Sequence, residues 1–189
     1  MAIALVASFP LALLARRFRR AETPILAVAG VLYTIPALAL IAAFVPWFGL
    51  TAWPVVTALA IYALLVLIRN IVVGLDEVPP DVVEAARGMG LGGGRILWQV
   101  ELPLALPAIM AGVRVATVST IGLLTIGGYL GVGGFGNLIT EGLQLTVGRA
   151  QVVTASLCCV ALALVADLAL LGLQRLLTPW ARRRSGAPA

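Results

Sequence analysis

Residues 104–126 read LALPAIMAGVRVATVSTIGLLTI, an apolar run with one charge, Arg114. A helix rises about 1.5 Å per residue and the hydrocarbon core of a bilayer is about 30 Å thick, so roughly 20 apolar residues are enough to cross it. This run is long enough. Working outward, residues 24–45, 50–68 and 151–173 reach the same length. Residues 2–15 form a fifth, shorter run interrupted by Pro10. We read it as the second half of a helix: either the true start lies upstream of Met1, or this helix crosses where the bilayer is thin or protein surrounds it. Four arginines follow it, at 16, 17, 19 and 20, whereas a signal peptide carries its charge ahead of the apolar stretch. The expected fold is therefore all-α: a polytopic membrane protein of about five transmembrane helices, the first one short, forming one domain over residues 1–189.

Composition agrees with that reading. Of 189 residues 61% are hydrophobic and only 11% charged, with a mean hydropathy of +1.08. So few charges cannot cover a soluble domain of this size. The net charge is +5, from 13 basic residues, all Arg, against 8 acids. The arginines stand at the ends of apolar runs and not along one amphipathic face, so they report membrane orientation and not nucleic-acid binding. Arg16, Arg17, Arg19, Arg20, Arg69, Arg87, Arg95, Arg175, Arg182, Arg183 and Arg184 fall on one side, and Arg149 alone on the other. That puts the amino terminus outside and the carboxyl terminus in the cytoplasm. With no His and two adjacent Cys, Cys158 and Cys159, a His or Cys metal cluster is excluded and a disulfide framework disfavoured. No internal repeat is present, which argues against a self-contained inverted-repeat transporter.

Between the runs at 50–68 and 104–126, the third and fourth of the five, lies a polar stretch holding Asp76, Glu77, Asp81, Glu84 and Glu101 with three arginines. Pro79-Pro80-Asp81 starts a helix, with an acid in its first turn and VVEAAR behind it. Gly88, Gly90, Gly92, Gly93 and Gly94 interrupt that helix, residues 96–100 resume an apolar pattern, and Leu102-Pro103 opens the next span. The expectation is a cytoplasmic loop over residues 75–103: a short helix, a glycine elbow that lets another backbone approach closely, and a second short helix. A phosphate loop is excluded, since the Lys followed by Ser or Thr of that motif is missing and no strand precedes it.

Glu84-Ala85-Ala86, then three residues, Gly90, nine residues, and Val100-Glu101-Leu102-Pro103 resembles the EAA signature of importer-type ABC permeases, EAA-xxx-G-x9-I-x-LP. Val100 in place of Ile is the one departure. The stretches LYTIPALALIA, IYALLVLIRN, EAARGMG, LPLALPAIMAGVRVATV and GGYLGVGGFGNLI are similar to the osmoprotectant branch: permeases for glycine betaine, carnitine, choline or proline. The resemblance implies the importer-type ABC permease fold in the bacterial inner membrane. Its implied partners are a second permease copy or paralogue, two cytoplasmic ATPase subunits and an external substrate-binding protein. ATP and Mg belong to the ATPase, so this chain holds no cofactor and is not an enzyme. It also implies that Glu84, Ala85, Ala86, Gly88, Gly90, Leu102 and Pro103 couple the chain to the ATPase.

Two further features carry expectations. Counting helix rise from the boundary places Arg114 and Asp167 at matching depth in two different spans, which suits an intramembrane charge pair, with contact to a zwitterionic substrate as the alternative. The glycine-rich residues 127–136 should not form regular helix; Tyr129, Phe135, Gly133 and Gly134 are candidates for an outer gate or pathway. Tyr33, Tyr129, Phe135 and Trp47 are candidates to offer aromatic faces to a quaternary ammonium, and Trp47 and Trp53 equally suit an interfacial belt. A permease for another small polar solute, such as an amino acid, remains open from composition, as does a membrane scaffold or a self-contained channel.

Overall fold

The computed structural model describes residues 1–132, 134–145 and 148–180, without the side chains of residues 19–22. All regular elements among them are helical. Helix α1, Ala2–Arg17, runs through Pro10 without breaking and buries a face of small residues, Ala4, Ser8, Ala12 and Ala15. Small side chains at that spacing let two helices approach closely without help from a hydrophobic force, which lipid does not supply.

Helices α2, Arg19–Thr34, and α3, Ala37–Phe48, replace the single span expected over residues 24–45. Their axes bend by 95° between them. The cause is Pro36, which donates no hydrogen bond and pushes Ile35 into extended backbone, with ψ at 129°. The Ile35 carbonyl freed by the break accepts a hydrogen bond from the Tyr62 hydroxyl, and Tyr33 meets the Tyr62 ring edge-on at 5.5 Å. An apolar environment tolerates broken backbone only when such groups find partners. Because α3 continues to Phe48, the connection between the runs at 24–45 and 50–68 is a short turn around Gly49.

Helix α4, Trp53–Asp76, runs two turns beyond residue 68, so Arg69 is an exposed residue of the helix and not of the following loop. Next come α5, Pro80–Gly88, and α6, Gly93–Ile96. A π-helical turn, Leu97–Glu101, leads straight into α7, Leu102–Leu124. The second short helix of the sequence reading is therefore the foot of a span: residues Gly93–Leu130 make one helical stretch of 38 residues. The widened turn sits where Pro103 cannot donate to the carbonyl four residues back.

A 3-10 segment, Thr125–Leu130, ends that stretch, and α8, Phe135–Gln144, and α9, Arg149–Leu177, complete the chain. Of residues 127–136, expected not to form regular helix, 127–130 lie in the 3-10 segment, Gly131 and Gly134 have positive φ, and Phe135 opens α8. The Gly128 and Gly136 backbones touch, and a Cβ on Gly136 would stand 2.7 Å from the Thr125 carbonyl.

Helices α4 and α7 share the most extensive interface. It rests on small residues: a Cβ on Gly74 would stand 2.9 Å from that of Ala108, and one on Gly112 would collide with Asn70. Around it α1, α4 and α7 bury Ala12, Ala15, Ile68, Ile71, Val72, Leu75, Ala105 and Ile109 as one core. Among the described residues three stretches are long and apolar enough to cross a membrane, and the bent α2–α3 pair makes a fourth if it is one broken span. Helix α1, with 16 residues, is shorter than these.

Candidate functional site: an exposed helix on a clamped foot

Pro79 and Pro80 fix the start of α5, with Asp81 in its first turn. Only Ala86 of this helix is buried; Glu84, Ala85 and Gly88 face out, together with Val82 and Met89, the latter 75% exposed. The chain itself leaves most of the surface of this short helix uncovered.

Its end is fixed by a Schellman motif: the Gly90 N–H donates to the Arg87 carbonyl at 2.9 Å and the Leu91 N–H to the Ala86 carbonyl at 3.2 Å. Gly90 has φ of 82°, a conformation other L-residues adopt at a cost. Gly90 is thus required by backbone geometry, and open space surrounds it within the chain. Of the glycine cluster it alone has positive φ, and Gly88, Gly93 and Gly94 are helical.

The foot of α7 is held by charges. Glu101, 9% exposed, accepts Arg16 Nη1 on Oε2 and Nη2 on Oε1, both at 2.9 Å. Arg16 Nε donates to Asp76 at 3.1 Å and Nη2 also to the Leu75 carbonyl at 3.0 Å. One guanidinium therefore ties the ends of α1 and α4 to the start of α7. The hydrogen bond to Glu101, and after it Asp76, raises the Arg16 pKa above its ordinary value, against the opposing effect of burial. Sequence reading missed this cluster. Arg16 and Glu101 stand at the edges of two apolar runs, but nothing in either run says that they meet. Leu102 packs against the core and Pro103 lies in the first turn of α7, so neither shares the exposed face of Glu84.

Farther up, Arg114 Nε and Nη2 donate to Asp167 Oδ1 and Oδ2 at 2.8 and 2.7 Å, joining α7 to α9. The pair lines a cavity of about 420 Å³ with Ala111, Val115, Val118 and Ser119. At the opposite end Tyr129 and Phe135 are exposed, and Gly131 and Gly134 have φ of 68° and 84° where the chain turns into α8. Gly133 lies outside the described residues.

Residues 4–183 match the family described as binding-protein-dependent transport system inner membrane component. The chain belongs to that family. Within it, the chain is 39% identical to the choline transport system permease protein OpuBD of Bacillus subtilis, over 97% of this chain and 81% of that protein. It is 38% identical to the glycine betaine/carnitine/choline transport system permease protein OpuCD of the same organism, over 96% and 79%. To the osmoprotectant import permease protein OsmW of Salmonella typhimurium it is 38% identical, over 94% and 84%. The family's fold recurs in an inward-facing structure of the MetNI methionine ABC transporter, with a TM-score of 0.82, 22% identity and coverage of 93% and 88%.

Proposed function

We propose that this chain is the permease subunit of an ATP-driven importer for a small osmoprotectant: glycine betaine, choline, carnitine or proline. The carrying observation is the similarity, over nearly the whole chain, to permeases named for choline, glycine betaine, carnitine and osmoprotectant import. Two cytoplasmic ATPase subunits, a second permease copy or paralogue and an external binding protein complete the assembly, and the ATPases hold ATP and Mg. The amino terminus lies outside and the carboxyl terminus in the cytoplasm, so α5 is on the ATPase side.

Supporting the coupling role of Glu84, Ala85, Ala86, Gly88 and Gly90 is a short helix with one buried residue, followed by a fixed turn. Small side chains let it seat deeply, and Glu84 can meet a basic or donor group. Its displacement passes through α6 to the clamped foot of α7, and α7 carries it without a break to the 3-10 segment that ends at Leu130. There the turn around Gly131 to Gly134, with Tyr129 and Phe135, acts as the outer gate. Arg114 and Asp167 neutralise one another inside the membrane.

The test is uptake by the purified complex in proteoliposomes supplied with binding protein and ATP. The four osmoprotectants, an amino-acid panel and no solute are compared. ATP-dependent uptake of an osmoprotectant that the amino acids do not inhibit is expected. Transport of other amino acids alone would select the amino-acid reading, and passive conductance by this chain alone a channel.

A further inference from the structure

A second feature stands beside α5, independent of the substrate. A cavity of about 470 Å³ opens between the end of α1, the end of α5 and the foot of α7, lined by Leu13, Arg16, Arg17, Arg87, Gly93, Leu97 and Glu101. Arg16 is taken up by Glu101 and Asp76. Arg17 and Arg87 form no ion pair with any described residue, so three guanidiniums face the two carboxylates of Glu101 and Asp76 and the cavity keeps a net positive charge. Arg17 is steadied by the Phe18 ring, 5.7 Å from its guanidinium carbon.

The other half of the lining is apolar and continues along the helix. Residues 9, 13, 16 and 17 share one flank of α1, at i, i+4, i+7 and i+8. Below Leu13 on that flank, Phe9 meets Trp98 of the π-helical turn at 5.8 Å between ring centres. The apolar run of α1 stops just before Arg16, which sets the guanidiniums at the depth of lipid headgroups and Phe9 about 12 Å deeper by helix rise.

We propose that this cavity binds the headgroup of an anionic phospholipid. Arg17 and Arg87 take the phosphate oxygens, and the first part of an acyl chain lies against Leu13, Leu97 and the Phe9–Trp98 pair below them. A soluble anion would gain nothing from that apolar surface, and an acidic protein segment would have to enter at the depth where the apolar run ends. A basic pocket between helices at this depth is the usual physical form of such a site. A lipid held there bridges α1 to the end of α5.

The experiment is native mass spectrometry of the intact transporter complex, stripped of lipid and titrated with phosphatidylglycerol, phosphatidylcholine or soluble glycerophosphoglycerol. Wild type should retain phosphatidylglycerol in preference to phosphatidylcholine. Each arginine near the surface contributes about fivefold, so Arg17→Gln should lower that preference about fivefold and Arg17→Gln with Arg87→Gln roughly 25-fold. Arg17→Gln leaves α5 unchanged, so its result stands if the double variant fails to assemble. Equal retention of both lipids by wild type overturns the proposal, as does binding of the soluble headgroup as tight as the lipid. Quantitative cross-linking of Arg17→Cys to the ATPase would also overturn it, by giving the cavity to a protein partner.

Discussion

Arg16 and Glu101 face each other in a fork of two hydrogen bonds of 2.9 Å, although 85 positions separate them in sequence. The acid stands immediately before the Leu-Pro that opens α7, and the base stands immediately after the apolar run of α1. Glu101 is nearly buried, so removing Arg16 leaves a carboxylate without its charge partner in a low-dielectric setting. Arg16→Ala should destabilise the chain by about 3 kcal/mol, and Glu101→Gln with Arg16→Gln should cost less than either change alone. Asp76 is the more exposed partner, so Asp76→Ala should cost less than about 1 kcal/mol. Unfolding in mixed micelles, run as a double-mutant cycle, measures all of these, and additive effects of Arg16 and Glu101 would count against the clamp.

The Arg114–Asp167 pair leads to a parallel expectation within the membrane. Arg114→Leu and Asp167→Leu each leave one charge in the span, and each should reduce the yield of assembled complex about tenfold. The double change should recover most of the yield. If transport rather than assembly collapses in the double variant, the pair serves the solute and not the fold.

Gly90 separates backbone geometry from room for a partner. Its positive φ predicts coupling efficiency in the order Gly, Asn, Ala, Val, because Asn tolerates this conformation better than Ala does and β-branched Val tolerates it least. Gly90→Ala should cost about 1 kcal/mol of local helix stability, read by hydrogen exchange at Leu91. An order set by side-chain size, with Ala better than Asn, would show that clearance for the ATPase governs this position instead.

At the outer end, Gly136→Ala brings a Cβ to 2.7 Å from the Thr125 carbonyl and must displace α8, whereas Gly122→Ala in α7 meets nothing within 4 Å. The first should abolish most uptake and the second should leave it near wild type. Labelling of Tyr129→Cys and Phe135→Cys in a background lacking Cys158 and Cys159 should differ between nucleotide-free and ATP-trapped complexes. Equal labelling with transport intact would make this turn a passive connection.

What could be read before any coordinates was governed by local chemistry. Apolar runs of sufficient length marked α4, α7 and α9, and Pro79-Pro80-Asp81 marked the start of α5 to the residue. The break at Pro36 was also local, but a proline inside an apolar run can kink a helix slightly or turn it by 95°, and only the Tyr62 hydroxyl on the Ile35 carbonyl makes the sharp turn tolerable. Glycine was read only in part. Gly90 reads as room for a partner and also serves a turn through its positive φ, while Gly128 and Gly136, read as irregular backbone, also make a close backbone contact. The Arg16 clamp was not legible, because nothing within a run says which boundary charge will meet it.

Cross-linking from α5 to the ATPase tests the central claim most directly. Ala85→Cys, in a chain with Cys158→Ser and Cys159→Ser, is joined by a short bismaleimide to single cysteines along the surface groove of the purified ATPase subunit. Leu143→Cys on exposed α8 serves as the control. The account predicts near-complete cross-linking from Ala85→Cys, none from Leu143→Cys, and loss of ATP-driven uptake when the link forms. Failure of Ala85→Cys to cross-link at any groove position, in a complex that still couples ATP hydrolysis to uptake, would contradict it.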